Sequence, residues 1–256
     1  MAEPALNLPA GHRLARFERL DSTMSEAERR ARAGEESGLW IWALEQDEGR
    51  GRGGRDWESR RGNLFTSLLL RPLAPLPTAL QLSLVAGVAL HDAAAALGAG
   101  QELAGDLALK WPNDLLLSGR KVAGILLESL TTPHERGLAV IVGTGLNLVS
   151  HPAEALYPAG SLAERGVRAE PGQALEALAA ATDRWLARWD EGEGFEAVRK
   201  AWLERSIPLG APLRIKLDGK EVIGVYAGID RDGALRLGDG TGAERRVSAG
   251  DVFIAS

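Results

Sequence analysis

The hydrophobic pattern of the chain changes near residue 208, and this change constrains the fold more than any other feature. Before it, short strand-like segments alternate with Ala- and Leu-rich segments of helical period. After a segment rich in Pro and Gly, apolar Leu213 and Ile215 alternate with polar neighbours, the period-two pattern of a strand with one buried face. The sequence therefore predicts an α/β body over residues 1–208 and a small antiparallel β-barrel over 209–256.

The local patterns of the body predict a mixed order of strands and helices. Thr23 and Glu26 have the spacing of a capping box, which predicts a helix beginning at Thr23. The predicted helices are Thr23 to about Ala33, Thr78–Leu97, about 172–190 and about 195–205. The predicted strands are 13–20, 39–46, 64–71, 106–117, 121–129 and 138–143, the last leading into a Gly-Thr-Gly turn. In the barrel, turns are predicted at Asp218-Gly219, Asp232-Gly233 and Gly238-Asp239-Gly240.

The composition excludes several classes of protein. A net charge of −5 argues against a dedicated nucleic-acid binder, whose affinity comes largely from neutralising phosphates. The absence of cysteine excludes disulfides, zinc fingers, iron–sulfur clusters and cysteine nucleophiles. The N-terminal residues do not have the pattern of a signal peptide, and the apolar runs are shorter than a membrane span requires. We therefore expect a soluble cytoplasmic protein with no membrane partner.

Several common catalytic motifs are missing from the sequence. It contains no GxxxxGK[ST] phosphate loop, no HExxH zinc motif and no GxSxG nucleophile elbow. The pattern GxGxxG occurs at Gly49, Gly51 and Gly54, but a dinucleotide site needs a helix to begin at the third glycine. Another strand follows this segment instead, so we do not interpret it as a dinucleotide site.

Residues 49–62 contain five Arg, five Gly and two acidic residues around Trp57. We call this segment the Gly/Arg loop. One interpretation is a solvated loop with incidental charge. The other is a ligand-binding loop, in which glycines let the backbone approach a ligand closely and guanidinium groups neutralise phosphate or carboxylate. In that case Trp57 would offer a flat face to a purine or an Arg side chain.

A second group of residues comprises Lys110-Trp111-Pro112-Asn113-Asp114, followed by Lys121 at the start of an apolar strand segment. The residues Pro112, Asn113 and Asp114 are also typical of a simple turn. However, a lysine next to a core is seldom found without an anion to pair with it. A third segment, GTGLN at 143–147, is typical of a pocket wall but is a weak signal alone.

Taken together, these segments resemble the biotin protein ligases. The resemblance rests on long motifs in matching order over nearly the whole chain. They are DSTM (21–24), EQDEGRGRGGRDWESRRGNLFTSLLLRP (45–72), LKWPNDLLLSGRKVAGILLES (109–129), VGTGLN (142–147) and GIDRDGALRL (228–237).

The resemblance implies a fold and an activity. The implied fold is a mixed sheet flanked by helices, of the class II aminoacyl-tRNA synthetase-like type, with an SH3-like C-terminal barrel. The implied substrates are biotin and ATP, with Mg²⁺, and the implied intermediate is biotinyl-5′-AMP. The implied acceptor is a lysine on the biotin carrier domain of a carboxylase such as acetyl-CoA carboxylase.

The resemblance also implies roles for individual residues. Lys121, Arg52 and Asp114 would be catalytic, with Asp114 orienting or deprotonating the acceptor lysine. The residues implied to bind biotin are Ser22, Thr23, Gln46, Arg50, Gly51, Arg52 and Lys121. Those implied to bind ATP are Arg50, Arg52, Arg55, Trp57, Lys110, Asn113, Lys121 and Asn147. No residues are implied as metal ligands.

The sequence departs from the family pattern in two places. The usual Ser-Thr-Asn is Ser22-Thr23-Met24 here, so Met24 cannot supply an amide contact to biotin. In the Gly/Arg loop, the usual residue before the second Arg cluster is replaced by Gly53-Gly54, and the usual Ser-Pro after the Trp is replaced by Ser59-Arg60, which makes the loop looser and more basic. We also expect no N-terminal winged helix and therefore no DNA partner. The sequence is compatible with either a monomer or a homodimer.

Three alternatives remain open at this point. A lipoate or octanoate ligase would use the same acyl-adenylate chemistry on a similar fold, and a biotin-against-lipoate binding assay would separate the two. A non-catalytic regulator that binds biotinyl-adenylate would require saturable binding to a specific DNA. A nucleic-acid-binding Arg/Gly module would lose affinity steeply as salt increases.

Overall fold

The computed structural model describes residues 6–101, 103–131, 137–155, 157–217 and 220–254. The helices are α1 (Thr23–Arg32), α2 (Leu76–Ala79), α3 (Leu82–Leu97), α4 (Pro171–Trp189) and α5 (Phe195–Glu204). The first seven strands are β1 (Arg13–Leu20), β2 (Leu39–Gln46), β3 (Leu64–Leu70), β4 (Leu107–Lys110), β5 (Asp114–Leu117), β6 (Arg120–Thr131) and β7 (Leu138–Leu146). The last five are β8 (Pro212–Leu217), β9 (Lys220–Ile229), β10 (Leu235–Gly238), β11 (Glu244–Val247) and β12 (Asp251–Ile254).

The first seven strands form one mixed sheet in the order β1-β2-β3-β7-β6-β5-β4. The β1–β2 pair is parallel and the remaining neighbours are antiparallel. Helix α1 packs against β2, β3 and β7, while α3 and α4 pack on each other and on the sheet. The mixed sheet flanked by helices that the family resemblance implies is thus confirmed.

Most of the tryptophans are part of the hydrophobic core. Six of the seven lie in one buried cluster: Trp40, Trp42, Trp111, Trp185, Trp189 and Trp202. The two on α4 lie one helical turn apart and face the core together, as their four-residue spacing predicts. Trp57 is outside this cluster, on the Gly/Arg loop. It is therefore the one tryptophan whose position the core does not explain.

The region Leu76–Leu97 is apolar enough and long enough to cross a membrane by composition alone. The short apolar runs of the sequence predict no membrane span here. Within this region, 61% of the most apolar window is buried inside the protein. Helix α3 packs against α4 and α5, so its hydrophobicity is that of a central core helix surrounded by other elements.

Two predicted elements differ from those in the structure. The predicted helix Thr78–Leu97 is divided into α2 and α3, which are separated at Leu80 and Gln81. The predicted strand 106–117 is two strands, β4 and β5, which pair as a hairpin around Trp111–Asn113. Both segments are apolar throughout, so hydrophobic periodicity did not reveal where each one is interrupted.

The predicted Gly-Thr-Gly turn is also wrong, because β7 continues through these residues to Leu146. Gly143 pairs with Ser67 and Leu126, and Gly145 pairs with Phe65 and Gly124. A Cβ atom at Gly143 would lie 2.5 Å from the sulfur of Met24, and one at Gly145 would meet Trp57. The glycines therefore allow side chains to pack closely on the backbone of a strand, and they do not form a turn.

The N-cap of α1 is Ser22 and not Thr23. The hydroxyl of Ser22 accepts a hydrogen bond from the backbone N–H of Met24 at 3.2 Å. Glu26 forms ion pairs with Arg29 and Arg30. The predicted capping box is therefore wrong, and the hydroxyl of Thr23 is free to make other contacts.

The C-terminal strands form a separate five-stranded antiparallel sheet in the order β11-β10-β9-β8-β12. We call it the C-terminal sheet. The predicted turn at Asp232-Gly233 is confirmed, since the N–H of Gly233 donates to the carbonyl of Asp230. In the next turn, the N–H of Asp239 donates to the carbonyl of Ala243. The predicted turn at Asp218-Gly219 lies outside the described residues, and the division of the chain at residue 208 remains a prediction.

Candidate functional site

A cleft of about 960 Å³ lies between the central sheet, the Gly/Arg loop and the C-terminal sheet. A volume of this order can enclose a ligand of several linked chemical groups. The structure brings all the sequence-predicted site residues to this one cleft. They are Ser22, Thr23, Gln46, Arg50, Gly51, Arg52, Arg55, Trp57, Lys110, Asn113, Asp114, Lys121 and Asn147.

One end of the cleft is a buried polar network around Thr23. The backbone N–H and the hydroxyl of Thr23 both donate to Oε1 of Gln46, at 2.8 and 3.0 Å. The hydroxyl of Ser67 donates to that of Thr23 at 2.8 Å. The amide nitrogen of Gln46 donates to Ser59 on the Gly/Arg loop at 2.8 Å. This network fixes several donors and acceptors in place, as recognition of a small polar head group requires.

Met24 lines the same end of the cleft. It is 3% exposed and packs against Gly143 on β7. Its thioether is an apolar, adaptable filler. This end of the cleft therefore combines an apolar wall at Met24 with a polar wall at Thr23 and Gln46.

The backbone of the Gly/Arg loop turns back on itself across the cleft. The N–H of Gly51 donates to the carbonyl of Arg55 at 2.7 Å, and that of Trp57 donates to the carbonyl of Gly49 at 2.8 Å. Gly53 and Gly54 both have positive φ, at 66° and 72°. Residues with a Cβ seldom adopt this conformation, so the pair is what allows the loop to fold so tightly.

The arginines of the loop hold it against three different parts of the protein. Arg50 forms an ion pair with Glu128 of β6 at 3.1 Å. Arg52 donates to Oδ1 of Asn113 at 3.3 Å. Arg55 forms an ion pair with Asp251 of the C-terminal sheet at 2.9 Å. The loop is therefore held across the cleft by three of its arginines.

The indole of Trp57 lies directly on the backbone of β6 and β7. A Cβ atom built at Gly145 would be 2.5 Å from this ring, and one at Gly124 would be 3.1 Å from it. The ring centroid is 5.4 Å from Nζ of Lys121, within the range of a cation–π contact. The two glycines thus create a flat floor that admits an aromatic ring.

The lining of the cleft includes a buried carboxylate between two ammonium groups. Asp114 forms ion pairs with Lys110 at 2.8 Å and with Lys121 at 2.5 Å. The β4–β5 hairpin places Lys110 directly opposite Asp114, and β6 brings in Lys121. Asp114 is thus the anion whose presence near Lys121 the sequence predicts.

Burial acts on the pKa values of both members of the Lys110–Asp114 pair. Burial lowers the pKa of Lys110, while the charge of Asp114 opposes this effect. Burial also raises the pKa of Asp114, but the charges of Lys121 and Lys110 outweigh it and hold the pKa below its ordinary value. Asp114 is therefore an ionised anchor for the lysines and a weak proton acceptor.

Tyr157 is a cleft residue that the sequence analysis missed. Its ring lies 4.4 Å from Nζ of Lys110 and 5.8 Å from Nζ of Lys121, and it stacks on Phe253 at 4.8 Å. Burial, followed by the charges of Asp251 and Asp114, raises the pKa of its hydroxyl. Tyr157 lies in an irregular segment, so no periodicity identified it.

Asn147 lines the cleft but uses its side chain to hold the cleft wall. Its Nδ2 donates to the carbonyl of Gly160 at 3.0 Å. The backbone of Lys121 also bonds to this part of the chain, since its N–H donates to the carbonyl of Pro158 at 2.7 Å. These bonds fix the irregular segment that carries Tyr157 beside Lys121.

Comparisons with known proteins agree on one family. Residues 16–147 match the biotin/lipoate A/B protein ligase family, and residues 209–254 match the biotin protein ligase C-terminal domain. The chain is 42% identical to a biotin–[acetyl-CoA-carboxylase] ligase of Paracoccus denitrificans, over 92% of this chain and 98% of that protein. It is 34% identical to the Mycobacterium tuberculosis protein of the same name, over 90% of this chain and 85% of that protein.

The fold comparison gives the same result. A biotin protein ligase from Aquifex aeolicus, solved in complex with biotin and ATP, superposes with a TM-score of 0.78 at 25% identity. The superposition covers 94% of this chain and 99% of the other. From its sequence, its fold and the residues gathered in its cleft, we conclude that this chain belongs to the biotin protein ligase family.

Proposed function

We propose that the protein activates biotin with ATP to form biotinyl-5′-AMP and then transfers biotin to a lysine of a carrier domain. The observation that carries this proposal is the grouping of Arg52, Arg55, Lys110 and Lys121 along one cleft. The cleft also has a separate polar end around Thr23. This arrangement suits a ligand with a polar head group, a chain and an anionic nucleotide.

Charge explains how these residues would promote adenylate formation. The carboxylate of biotin must approach the α-phosphate of ATP, and two anions repel strongly in a site of low dielectric constant. Lys121 and Arg52 would offset this repulsion and stabilise the charge that develops as the P–O bond to pyrophosphate breaks. The bond that forms joins a carboxylate oxygen to the α-phosphorus, so the protein need not supply a nucleophile.

The folded loop explains how the intermediate would survive. Biotinyl-5′-AMP is a mixed anhydride that water hydrolyses. The Gly/Arg loop already crosses the cleft and is held by its arginines. A closed loop excludes water and slows escape of the intermediate.

In the transfer step, the neutral amine of the acceptor lysine would attack the carbonyl carbon. The amide C–N bond would form as the C–O bond to AMP breaks, and the proton released from the amine would pass to water. We assign Asp114 the role of holding Lys121 in place, because its two ion pairs and lowered pKa make it a poor base. Lys121 would then stabilise the departing phosphate.

The described residues do not build a site of their own for the Mg²⁺ that the family resemblance implies. In the described part of the chain, no group of three or more His, Asp or Glu side chains is arranged so that it could hold a metal ion. The buried carboxylate of Asp114 is already paired with two lysines. Mg²⁺ commonly binds through substrate phosphates and few protein groups, and we assign no residue to it.

The proposed acceptor is a biotin carboxyl-carrier domain, as in acetyl-CoA carboxylase. We also propose a cytoplasmic location. We propose no DNA partner, since the net charge is −5. Both a monomer and a homodimer are compatible with the cleft described here.

Incubation with ATP, Mg²⁺, biotin and a purified carrier domain tests the proposal. We expect the carrier to gain the mass of one biotinyl group, and no gain when its acceptor lysine is replaced by arginine. Parallel reactions with lipoate and octanoate should give no product. A gain with lipoate but not with biotin would assign the chain to the other branch of the matched family and contradict the proposal.

The floor beneath Trp57 provides a further prediction. In Gly145→Ala, the new Cβ would come within 2.5 Å of the indole, so the ring must move. Stacking of a base on an aromatic side chain contributes about 1–3 kcal/mol. We therefore expect the KM for ATP to rise about tenfold or more, measured by biotin-dependent ATP–pyrophosphate exchange.

Gly105→Ala is the matched control, because a Cβ at Gly105 would meet no atom within 4 Å. It should leave the KM for ATP unchanged. An unchanged KM in Gly145→Ala would show that the position of Trp57 does not matter for nucleotide binding.

A further inference from the structure

Three consecutive residues of the C-terminal sheet region accept hydrogen bonds from three cations of the cleft. The carbonyl of Gly250 accepts from Arg52 at 3.3 Å. The carboxylate of Asp251 accepts from Arg55 at 2.9 Å. The carbonyl of Val252 accepts from Nζ of Lys110 at 2.7 Å. We call this segment, Gly250 to Val252, the C-terminal clasp.

The contact at Val252 is deeply buried. Lys110 is 4% exposed and Val252 is 2% exposed. A buried ammonium group is stable only when its hydrogen-bonding capacity is met. Asp114 meets part of it and the clasp meets another part, so the C-terminal sheet completes the environment of a cleft residue.

The position of the clasp is set by the C-terminal sheet. Strand β12 pairs with β8, which places Val252 opposite Ile215 and Asp251 opposite Lys216. Gly250 has a φ of 152°, and a Cβ there would lie 2.9 Å from Leu217. The residue that directly follows the clasp on β12, Phe253, stacks on Tyr157 of the cleft wall. The clasp is therefore held on both sides.

Arg55 connects the clasp to the loop backbone. Its Nη2 donates to Asp251, and its Nε donates to the carbonyl of Arg52 at 2.8 Å. The same turn is closed by the N–H of Gly51, which donates to the carbonyl of Arg55. The carboxylate of Asp251 thus fixes a guanidinium group that in turn fixes the turn of the loop.

We propose that Asp251 is a positioning residue through which the C-terminal sheet holds the Gly/Arg loop closed over the adenylate. This inference rests on the proposed function and assigns a role to the C-terminal sheet within it. Asp251 acts through Arg55, and we assign it no contact with the reacting atoms. Loss of its charge should loosen the loop and speed escape of the intermediate.

The substitution Asp251→Asn tests the proposal without removing the side chain. In the Arg55–Asp251 pair, the side chain of Arg55 is more than a third exposed to solvent. Ion pairs that are partly exposed contribute little to the free energy of unfolding. The matched control is Glu244→Gln, which removes the charge from the Arg236–Glu244 pair of the same sheet. That pair is similarly exposed, at 41% and 37%, and does not contact the loop.

The first measurement is hydrogen–deuterium exchange of residues 49–57 in the ligand-free protein. In Asp251→Asn, we expect the amides of Gly51 and Trp57 to exchange about tenfold faster than in the parent, while Glu244→Gln matches the parent. The second measurement is the off-rate of biotinyl-5′-AMP, which should also rise about tenfold in Asp251→Asn only. Equal exchange in Asp251→Asn and the parent would overturn the proposal.

Faster exchange with an unchanged adenylate off-rate would also overturn it, because the loop would then be loosened without effect on retention. The exchange measurement needs no substrate. If the parent formed no adenylate at all, the proposed function would be contradicted, and so would the role of Asp251 in retaining the adenylate. The exchange result would still show whether Asp251 orders the loop. A thermal unfolding midpoint equal to the parent's confirms that both variants are folded.

Discussion

Replacing Lys121 with alanine should slow formation of biotinyl-5′-AMP by about 100- to 1000-fold, the effect typical of removing one group that stabilises developing charge. Lys121 is the partly exposed member of the Lys110–Asp114–Lys121 group, and its ammonium reaches the cleft. Without it, the carboxylate of biotin and the α-phosphate would meet with less compensating charge. Biotin-dependent ATP–pyrophosphate exchange measures this step directly.

Two further variants separate charge from general disturbance. Lys121→Arg keeps the positive charge and should retain more exchange activity than Lys121→Ala. Lys200→Ala removes an exposed lysine of α5, outside the cleft, and should match the parent. In Lys121→Ala, Asp114 keeps Lys110 as a partner, so the protein should remain folded. Normal exchange in a folded Lys121→Ala variant would show that Lys121 has no part in activation.

Replacing Arg52 with glycine should mainly release the intermediate. Arg52 lies at the turn of the Gly/Arg loop and bonds to Asn113 and to the clasp. A hydrogen bond to a charged group contributes about 1.5–3 kcal/mol, which corresponds to roughly a 10- to 100-fold faster off-rate of the adenylate. Formation of the adenylate should fall much less. The measurement is release of biotinyl-5′-AMP from the preformed complex by rapid dilution.

Arg60→Gly provides the control on the same loop. Arg60 is 77% exposed and pairs only locally, with Glu58, among the ion pairs of the described residues. This variant introduces the same glycine and removes the same charge, so its adenylate off-rate should stay at the parent value. Equal off-rates for Arg52→Gly and the parent would contradict the assigned role.

The sequence predicted which residues line the cleft more accurately than it predicted the secondary structure around them. Lys121 and Asp114 belong to different strands, yet the pattern of a lysine beside an apolar strand already indicated an anion nearby. The thirteen predicted site residues come from separate segments and meet at one cleft. Long motifs made this possible, because they preserve both residue type and order.

The remaining features depend on contacts between distant segments. In the sequence, Gly143 and Gly145 are typical of a turn. The structure shows that they make room for Met24 and Trp57, which pack on them. Tyr157 has no regular pattern around it and is identified only by its ring over Lys110. The clasp joins residues 52 and 250, a separation that no local periodicity could indicate.

The central claim is that this cleft forms biotinyl-5′-AMP and retains it until an acceptor lysine arrives. The most direct measurement is a single turnover without acceptor: the protein is mixed with biotin, ATP and Mg²⁺, desalted rapidly and analysed by mass spectrometry. We predict that biotinyl-5′-AMP elutes with the protein and disappears as a carrier domain, added afterwards without ATP, becomes biotinylated. Absence of bound adenylate, or bound adenylate that the carrier cannot discharge, would contradict this account.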